Sequence, residues 1–399
     1  KILNREVQYV PEGKRISFVE KVNKKFPRKI FVDAFDSDEN LKIALLLRLN
    51  LQGLIEEIDR KQLKISNLSI QNKDLYKKIK RINNKLSKLN IDIKERNNLI
   101  NEKEILEKEL FKNIPEIKSR IFEIEEVAGS LKENSVLIEY QKYERNKKNY
   151  YLAFILKPNS DIEIINLKDA KEIEDKIKIA IKSSERLPEF KEQLNEAENN
   201  WKEVGNLIIK PLKEAIGNAN TLFISPDSEI NRVPFTALGS LKNKKFLSED
   251  FKIRLLTTGR ELIKLNNESN LNSYESLVVA NPDFDSQLQS QKINNEFYLD
   301  NEYQTRSKDS RYKTWPQLPF TSLEGEFIAK KLNAKLLMNE KATVSAVQEV
   351  SAPNILHIAS HSEYLEDIKI DNTSKNNELN ELNNLNQKNL KENSLLRSY

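Results

Sequence analysis

A chain of 399 residues is long enough for two or three domains, at least one of them with a full core. Its 66 Lys and Arg stand against 61 Asp and Glu with the signs interspersed, which argues against an extended phosphate-binding surface, so no nucleic-acid partner is expected. Cysteine is absent, which removes disulfides, thiolate metal sites and any cysteine nucleophile from these residues.

Residues 1–40 read as irregular, interrupted by Pro11, Gly13 and Pro27, and as the remnant of an upstream, repeat-like region. Lys1 in place of Met implies that the native start lies earlier. No signal peptide opens the chain, and apolar runs such as Ala44–Leu47 and Leu152–Leu156 are too short for a membrane span. A cytoplasmic location with no membrane partner is the expectation.

From Leu41 to about Ile124 the period is helical. Leu54, Ile58, Ile65, Leu68, Leu75, Ile79, Ile82, Leu86, Leu89 and Ile93 fall on steps of three and four, a heptad seam with charged residues on the other faces. One straight helix of that length would exceed about 100 Å at roughly 1.5 Å per residue, so residues 41–128 are expected to form a folded-back hairpin or coiled coil, with a break near Asn97–Asn98. After Gly129 the pattern changes. Ser135–Tyr140, Tyr151–Leu156 and Ile162–Leu167 read as three strands of an antiparallel meander, the first two joined through the polar stretch Gln141–Asn149. Helices are expected at Ala170–Ser184 and Lys191–Ile216, then a strand at Thr221–Ile224 and a type I turn at Ser225–Ser228. Further strands at Lys252–Leu256, Ser276–Ala280, Ala334–Leu337 and Asn354–Ala359 alternate with helices at Leu323–Leu332 and Thr343–Val350. That alternation predicts an α/β domain over 129–399, with a mainly parallel sheet covered on both faces. Nine Asn between Asn372 and Asn393 leave too little apolar content for a core, and about 368–393 reads as a solvated insertion.

Several chemistries drop out. The eight glycines are each more than ten positions apart, so no dinucleotide fingerprint or P-loop exists, and no nucleophile elbow is present either. The only histidines are His357 and His361, and Ile358 sits where a zincin helix needs Glu. No cofactor and no metal are expected. On a strand, His357, Ala359 and His361 share one face, and His361 falls where the apolar run ends. At the carboxyl edge of a parallel strand an imidazole can serve as general base, or both rings can simply satisfy polar needs at a strand end.

Residues Leu356-His-Ile-Ala-Ser-His361 resemble the LHIATHG signature of CHAT domains, caspase-like peptidase domains commonly found beside tetratricopeptide repeats. Phe223–Leu238, Thr258–Leu262, Val279–Asp285 and Leu318–Ile328 are similar, in order, to further segments of that family. So are Tyr151–Leu156 and Arg48–Leu54. The resemblance implies a three-layer caspase-like α/β/α fold, with His361 as the general base of a His–Cys dyad and His357 in a packing or orienting role. Ser362 stands where the family usually has Gly. The cysteine of the family lies on the next core strand, and Glu392–Ser398 resembles a segment that precedes it, so the chain is expected to be cut inside the domain. It then reads as a fragment of a cysteine endopeptidase, inactive alone, with protein or peptide as substrate. The alternatives are a pseudo-enzyme scaffold for protein interaction and the product of a degraded reading frame. Arg232 and Arg260 could contact anions, although ordinary surface arginines are the simpler reading.

Overall fold

The computed structural model of the chain describes residues 6–15, 18–19, 29–55, 57–58, 70–86, 93–113, 120–185, 191–242, 244–267, 275–284, 317–350 and 353–361. The Asn-rich stretch 368–393 and Ser362 lie outside them. The fold is α/β with a helical N-terminal part, and it divides into two units. One holds residues 1–10, 15–65 and 114–269, the other 11–14, 66–113 and 270–399.

The first unit is built on a five-stranded sheet in the order β3-β2-β1-β4-β5, with β1 Ser135–Arg145, β2 Lys148–Leu156, β3 Ile162–Asp169, β4 Thr221–Ser225 and β5 Lys252–Leu255. β1, β2 and β3 form the expected antiparallel meander, while β1, β4 and β5 run parallel. The stretch Gln141–Asn149 is not a loop. Its residues extend the β1–β2 ladder as far as Arg145 opposite Lys148, and Asn146 and Lys147 turn the chain at positive φ (52° and 62°). A two-residue turn of that hand matches the twist of the flanking strands, which lets polar residues stay in the ladder.

Alternation along β1 assigns its two faces. Val136, Ile138 and Tyr140 enter one core with residues of the helices α6 Ala170–Glu185 and α7 Lys191–Ile208, among them Ile173, Ile177, Trp201 and Val204. Leu137 and Tyr143 enter the other core with Leu41, Ala44, Leu45 and Leu49 of α2 Asp38–Leu51, and with Val127 of α5 Ile124–Ala128. Helices on both faces of the sheet give three layers. Ser37 caps α2, its hydroxyl accepting from the Asn40 N–H at 3.2 Å. The helix expected over Lys191–Ile216 stops at Ile208, because Pro211 has no N–H to continue the ladder, and a 3-10 turn, Lys210–Leu212, follows. Burial pushes the Tyr140 hydroxyl well above the usual phenol range, and it donates to the Ile208 carbonyl at 2.9 Å.

A buried ionic network threads this unit. Arg48 of α2 is 2% exposed and donates through Nε to Glu139 Oε2 at 2.9 Å, with Glu139 on β1 fully buried. The Arg48 Nη2 group reaches Ser225 Oγ (3.1 Å) and the Pro226 carbonyl (3.2 Å), so the carbonyls after β4 are held by a guanidinium in place of the expected turn. The other Glu139 oxygen accepts from the Gly259 N–H at 2.6 Å. A Cβ at Gly259 would collide with Leu137, so only glycine lets that amide approach the carboxylate. Arg260 is not a surface residue: it is buried, donates to the Asn50 carbonyl (3.1 Å) and pairs with Glu57 at 3.2 Å. Arg232 is half-buried and pairs with Glu229 at 2.9 Å.

The second unit holds two helices of the expected helical region, α3 Ile70–Leu86 and α4 Ile93–Asn113, packed on each other through Ile82, Leu86 and Leu99. Asn97 and Asn98 lie inside α4, so no break occurs there. Seam residues Leu75, Ile79, Ile82 and Leu86 are buried, while Leu54 and Ile58 instead cluster with Val7 of the first unit. Gly53, at φ 66°, follows the end of α2 and redirects them. On α4, Lys103 and Glu107 are buried together (3.1 Å); Glu12 pairs with Lys103 at 2.6 Å and gives its own N–H to Glu107. Desolvation holds the Glu107 carboxyl above its ordinary value, with Lys103 pulling the other way.

Two stability predictions follow from these buried charges. Arg48→Met strands Glu139 in a dry core and should cost about 3–5 kcal/mol in a denaturant melt, much of it recovered in Arg48→Met/Glu139→Met. A raised carboxyl binds more protons folded than unfolded, so the contribution of Glu107 is greatest in acid and lost as pH rises through its folded value. The stability of wild type relative to Glu107→Gln should therefore fall as pH rises from about 4 towards neutrality, read from paired thermal melts.

Candidate active site

The second unit also contains a three-stranded parallel sheet in the order β7-β6-β8, with β6 Leu277–Pro282, β7 Lys335–Asn339 and β8 Leu356–Ala359. All three strands end at one edge, where His361 lies two residues beyond β8. Register sets the faces. His357 pairs with Val278 and Ala359 with Ala280, on the face covered by α11 Pro319–Leu332. This helix begins four residues before the expected Leu323, because Pro319 supplies a preset φ at its first position. Leu277, Val279 and Leu337 face the other way, into a small core with Ala346 and Val347 of α12 Val344–Glu349.

Gly325 allows α11 to lie close on the sheet, since a Cβ there would collide with Ala280. That close approach brings Glu324 to His357, with Oε1 and Nε2 2.9 Å apart, so a carboxylate holds one imidazole nitrogen. The edge itself is shaped by asparagines. Asn281 (φ 42°) and Asn339 (φ 52°) both take left-handed conformations at their strand ends, and Asn281 Nδ2 donates to Asn339 Oδ1 at 3.1 Å. The Asn281 N–H donates to Thr321 Oγ1 (3.1 Å), whose hydroxyl donates to the Leu318 carbonyl (2.6 Å). The Asp283 N–H donates to the Asn339 carbonyl at 3.3 Å. Phe284 follows, its ring centroid 5.3 Å from that of His361 at a 55° tilt.

The structure therefore separates the two histidines. His357 sits within β8 against a helix carboxylate, and His361 sits at the open edge against an aromatic ring. A family model described as CHAT domain matches residues 200–398. The chain carries a CHAT domain. No curated protein matches the chain.

Within the CHAT match, most of the segments that carried the resemblance are structural. Ile230, Val233, Phe235 and Leu238 of Phe223–Leu238 are core residues, and Thr258-Gly-Arg260 belongs to the buried network around Glu139. Val279–Phe284, Leu356–His361 and the start of Leu318–Ile328, through Thr321, reach the edge where the strands of the second sheet end. Sequence reading singled out His357 and His361 but gave no role to Asn281, Phe284, Thr321 or Asn339. The available signal was an asparagine at each strand end, the residue that most readily follows glycine into left-handed backbone. Among the described residues no group of three or more metal-ligating side chains clusters, and no helix is long and apolar enough to cross a membrane.

Gly325→Ala should push α11 off β6 and cost about 1–3 kcal/mol by overpacking. The melt should fall accordingly and the His357 ring resonances should shift in a heteronuclear NMR spectrum. An unchanged spectrum would mean that the close approach does not exist in solution.

Proposed function

We propose that this CHAT domain is the histidine-bearing part of a caspase-like cysteine endopeptidase acting on protein or peptide chains. The observation that carries the reading is the place of His361, just past β8 at the edge where the parallel strands of its sheet end. Loops at that edge of an α/β sheet collect catalytic groups, because side chains leaving adjacent strand ends converge there while the sheet holds them rigid.

His361 is the general base of the proposed dyad. Its imidazole takes the proton of a thiol, the thiolate attacks the scissile carbonyl, and the imidazolium then protonates the departing amine. His357, fixed by Glu324, packs and orients β8 and stays out of the proton transfer. These 399 residues contain no cysteine, so covalent catalysis needs a thiol from outside them, and the chain by itself is inactive.

The purified chain should show no thiol-dependent peptidolysis. Coding sequence beyond Tyr399 should encode a Ser-Ala-Cys strand, and a polypeptide extended through it should cleave peptides. In that polypeptide, His361→Gln should lower kcat by about 10²–10⁴, the usual contribution of a positioned general base. Retention of full activity by His361→Gln sinks the assignment.

One observation favours a second reading, a protein-interaction module. Phe320, Leu323 and Phe327 follow one another at helical spacing along α11 and are 82%, 65% and 65% exposed. Apolar side chains aligned in this way on a helix are a common docking surface. If the stripe serves binding alone, Phe327→Glu should keep a cooperative melt at the wild-type temperature.

A further inference from the structure

The motif Val279–Asp285 resembles a family segment, yet the proposed chemistry gives it no part. Its described residues form one construction. Near the end of β6, Asn281 takes left-handed backbone at a register shift, after which Pro282 pairs with Asn339 and the chain leaves the strand. Three bonds then fix that exit. The side chain of Asn281 donates to that of Asn339 on β7, the Asn281 N–H donates to Thr321 on α11, and the Asp283 N–H donates to the Asn339 carbonyl. The exit is thus tied both to the neighbouring strand and to the helix above. Asn339 is itself left-handed, which places its carbonyl and amide where both can accept from the turn. The next residue after this clasp is Phe284, and what it meets is the His361 imidazole of the strand on the other side of β6.

We propose that Phe284, held by the Asn281–Asn339 clasp, is the positioning residue for His361, its ring setting the plane of the imidazole. The proposal rests on the reading of His361 as base and gives that base its means of orientation. A general base needs its nitrogen lone pair aimed, and an imidazole beyond a strand end has two side-chain torsions to fix. A tilted aromatic contact restricts both without occupying a ring nitrogen. A hydrogen-bonding residue in the same place would engage a nitrogen, as Glu324 does at His357. The clasp extends the device over the three strand ends, since Asn339 acts on His361 only through the turn that carries Phe284.

Heteronuclear NMR of the His361 ring in the full chain tests this. The wild type should show a ring-current displacement of the His361 carbon-bound protons and nuclear Overhauser effects to Phe284. Phe284→Leu, which keeps an apolar side chain of similar bulk, should lose both and leave the His357 resonances in place. Phe284→Tyr should restore them. Asn339→Gly removes the side-chain acceptor of the clasp and keeps the carbonyl and the left-handed backbone, and should also lose the displacement despite its distance along the chain. Diethyl pyrocarbonate should modify His361 faster in Phe284→Leu and in Asn339→Gly than in wild type, with His357 unchanged as the internal reference. Wild-type His361 resonances in Phe284→Leu overturn the proposal, and wild-type resonances in Asn339→Gly overturn the clasp's part in it. None of these readouts needs a nucleophile, so their failure leaves the peptidase reading standing. Activity retained by His361→Gln in an extended polypeptide removes that reading without touching the contact.

Discussion

The first unit hangs on a charge that cannot be left alone. Glu139 points from the middle strand of a five-stranded sheet into a layer that closes it off from solvent, where an unpaired carboxylate is untenable. Arg48 answers one oxygen and the Gly259 amide the other, so α2, β1 and the loop after β5 must all be present before that carboxylate is satisfied. The Arg48 Nη2 group donates to Ser225 and Pro226 while Nη1 faces the Asp227 carboxylate at 4.0 Å, which fixes the chain leaving β4. Ser225 completes the circuit through the Thr257 carbonyl. Such a network adds little net stability over a well-packed apolar core, but it penalises any arrangement in which one of these elements is misplaced.

The same logic of close approach reappears in the second unit with different chemistry. Gly325 removes the side chain that would hold α11 away from β6, and that proximity lets Glu324 meet His357 and Thr321 meet Asn281. Parallel register then carries the effect to the strand ends, because β6 and β8 align residue by residue from Leu277 with Leu356 to Ala280 with Ala359. His361 therefore owes its place to backbone geometry, just past β8 at the edge where β6 and β8 end, with the Phe284 ring beside it. Leu356 and Ile358 share a face with Leu277 and Val279 but remain 47% and 56% exposed, while those two are buried under α12.

Much of this was legible in the chain. The apolar runs located β1 to β8, the switch of period at Gly129 falls between α5 and β1, and the ordered motifs pointed to the CHAT family. Local signals were weaker where two patterns overlap. The seam from Leu54 to Ile93 reads as one continuous stripe, since spacing alone cannot show that Gly53 redirects Leu54 and Ile58 towards Val7. Polar residues between β1 and β2 read as a loop because hairpin length depends on turn geometry at Asn146 and Lys147 more than on hydropathy.

Sequence by itself determined the family, the α/β class, the absence of a thiol in these residues and the position of His361 at the end of an apolar strand. These follow from residue identity and from periods of two and 3.6, which are local properties of the chain. Tertiary structure alone decided that Arg260 is buried, that Arg48 and Glu139 form a pair, that His357 meets Glu324 and that the His361 ring lies near that of Phe284. Each of those depends on which strand lies beside which and in what register. No pairwise spacing encodes that choice; it is made by the collective packing of helices against both faces of each sheet.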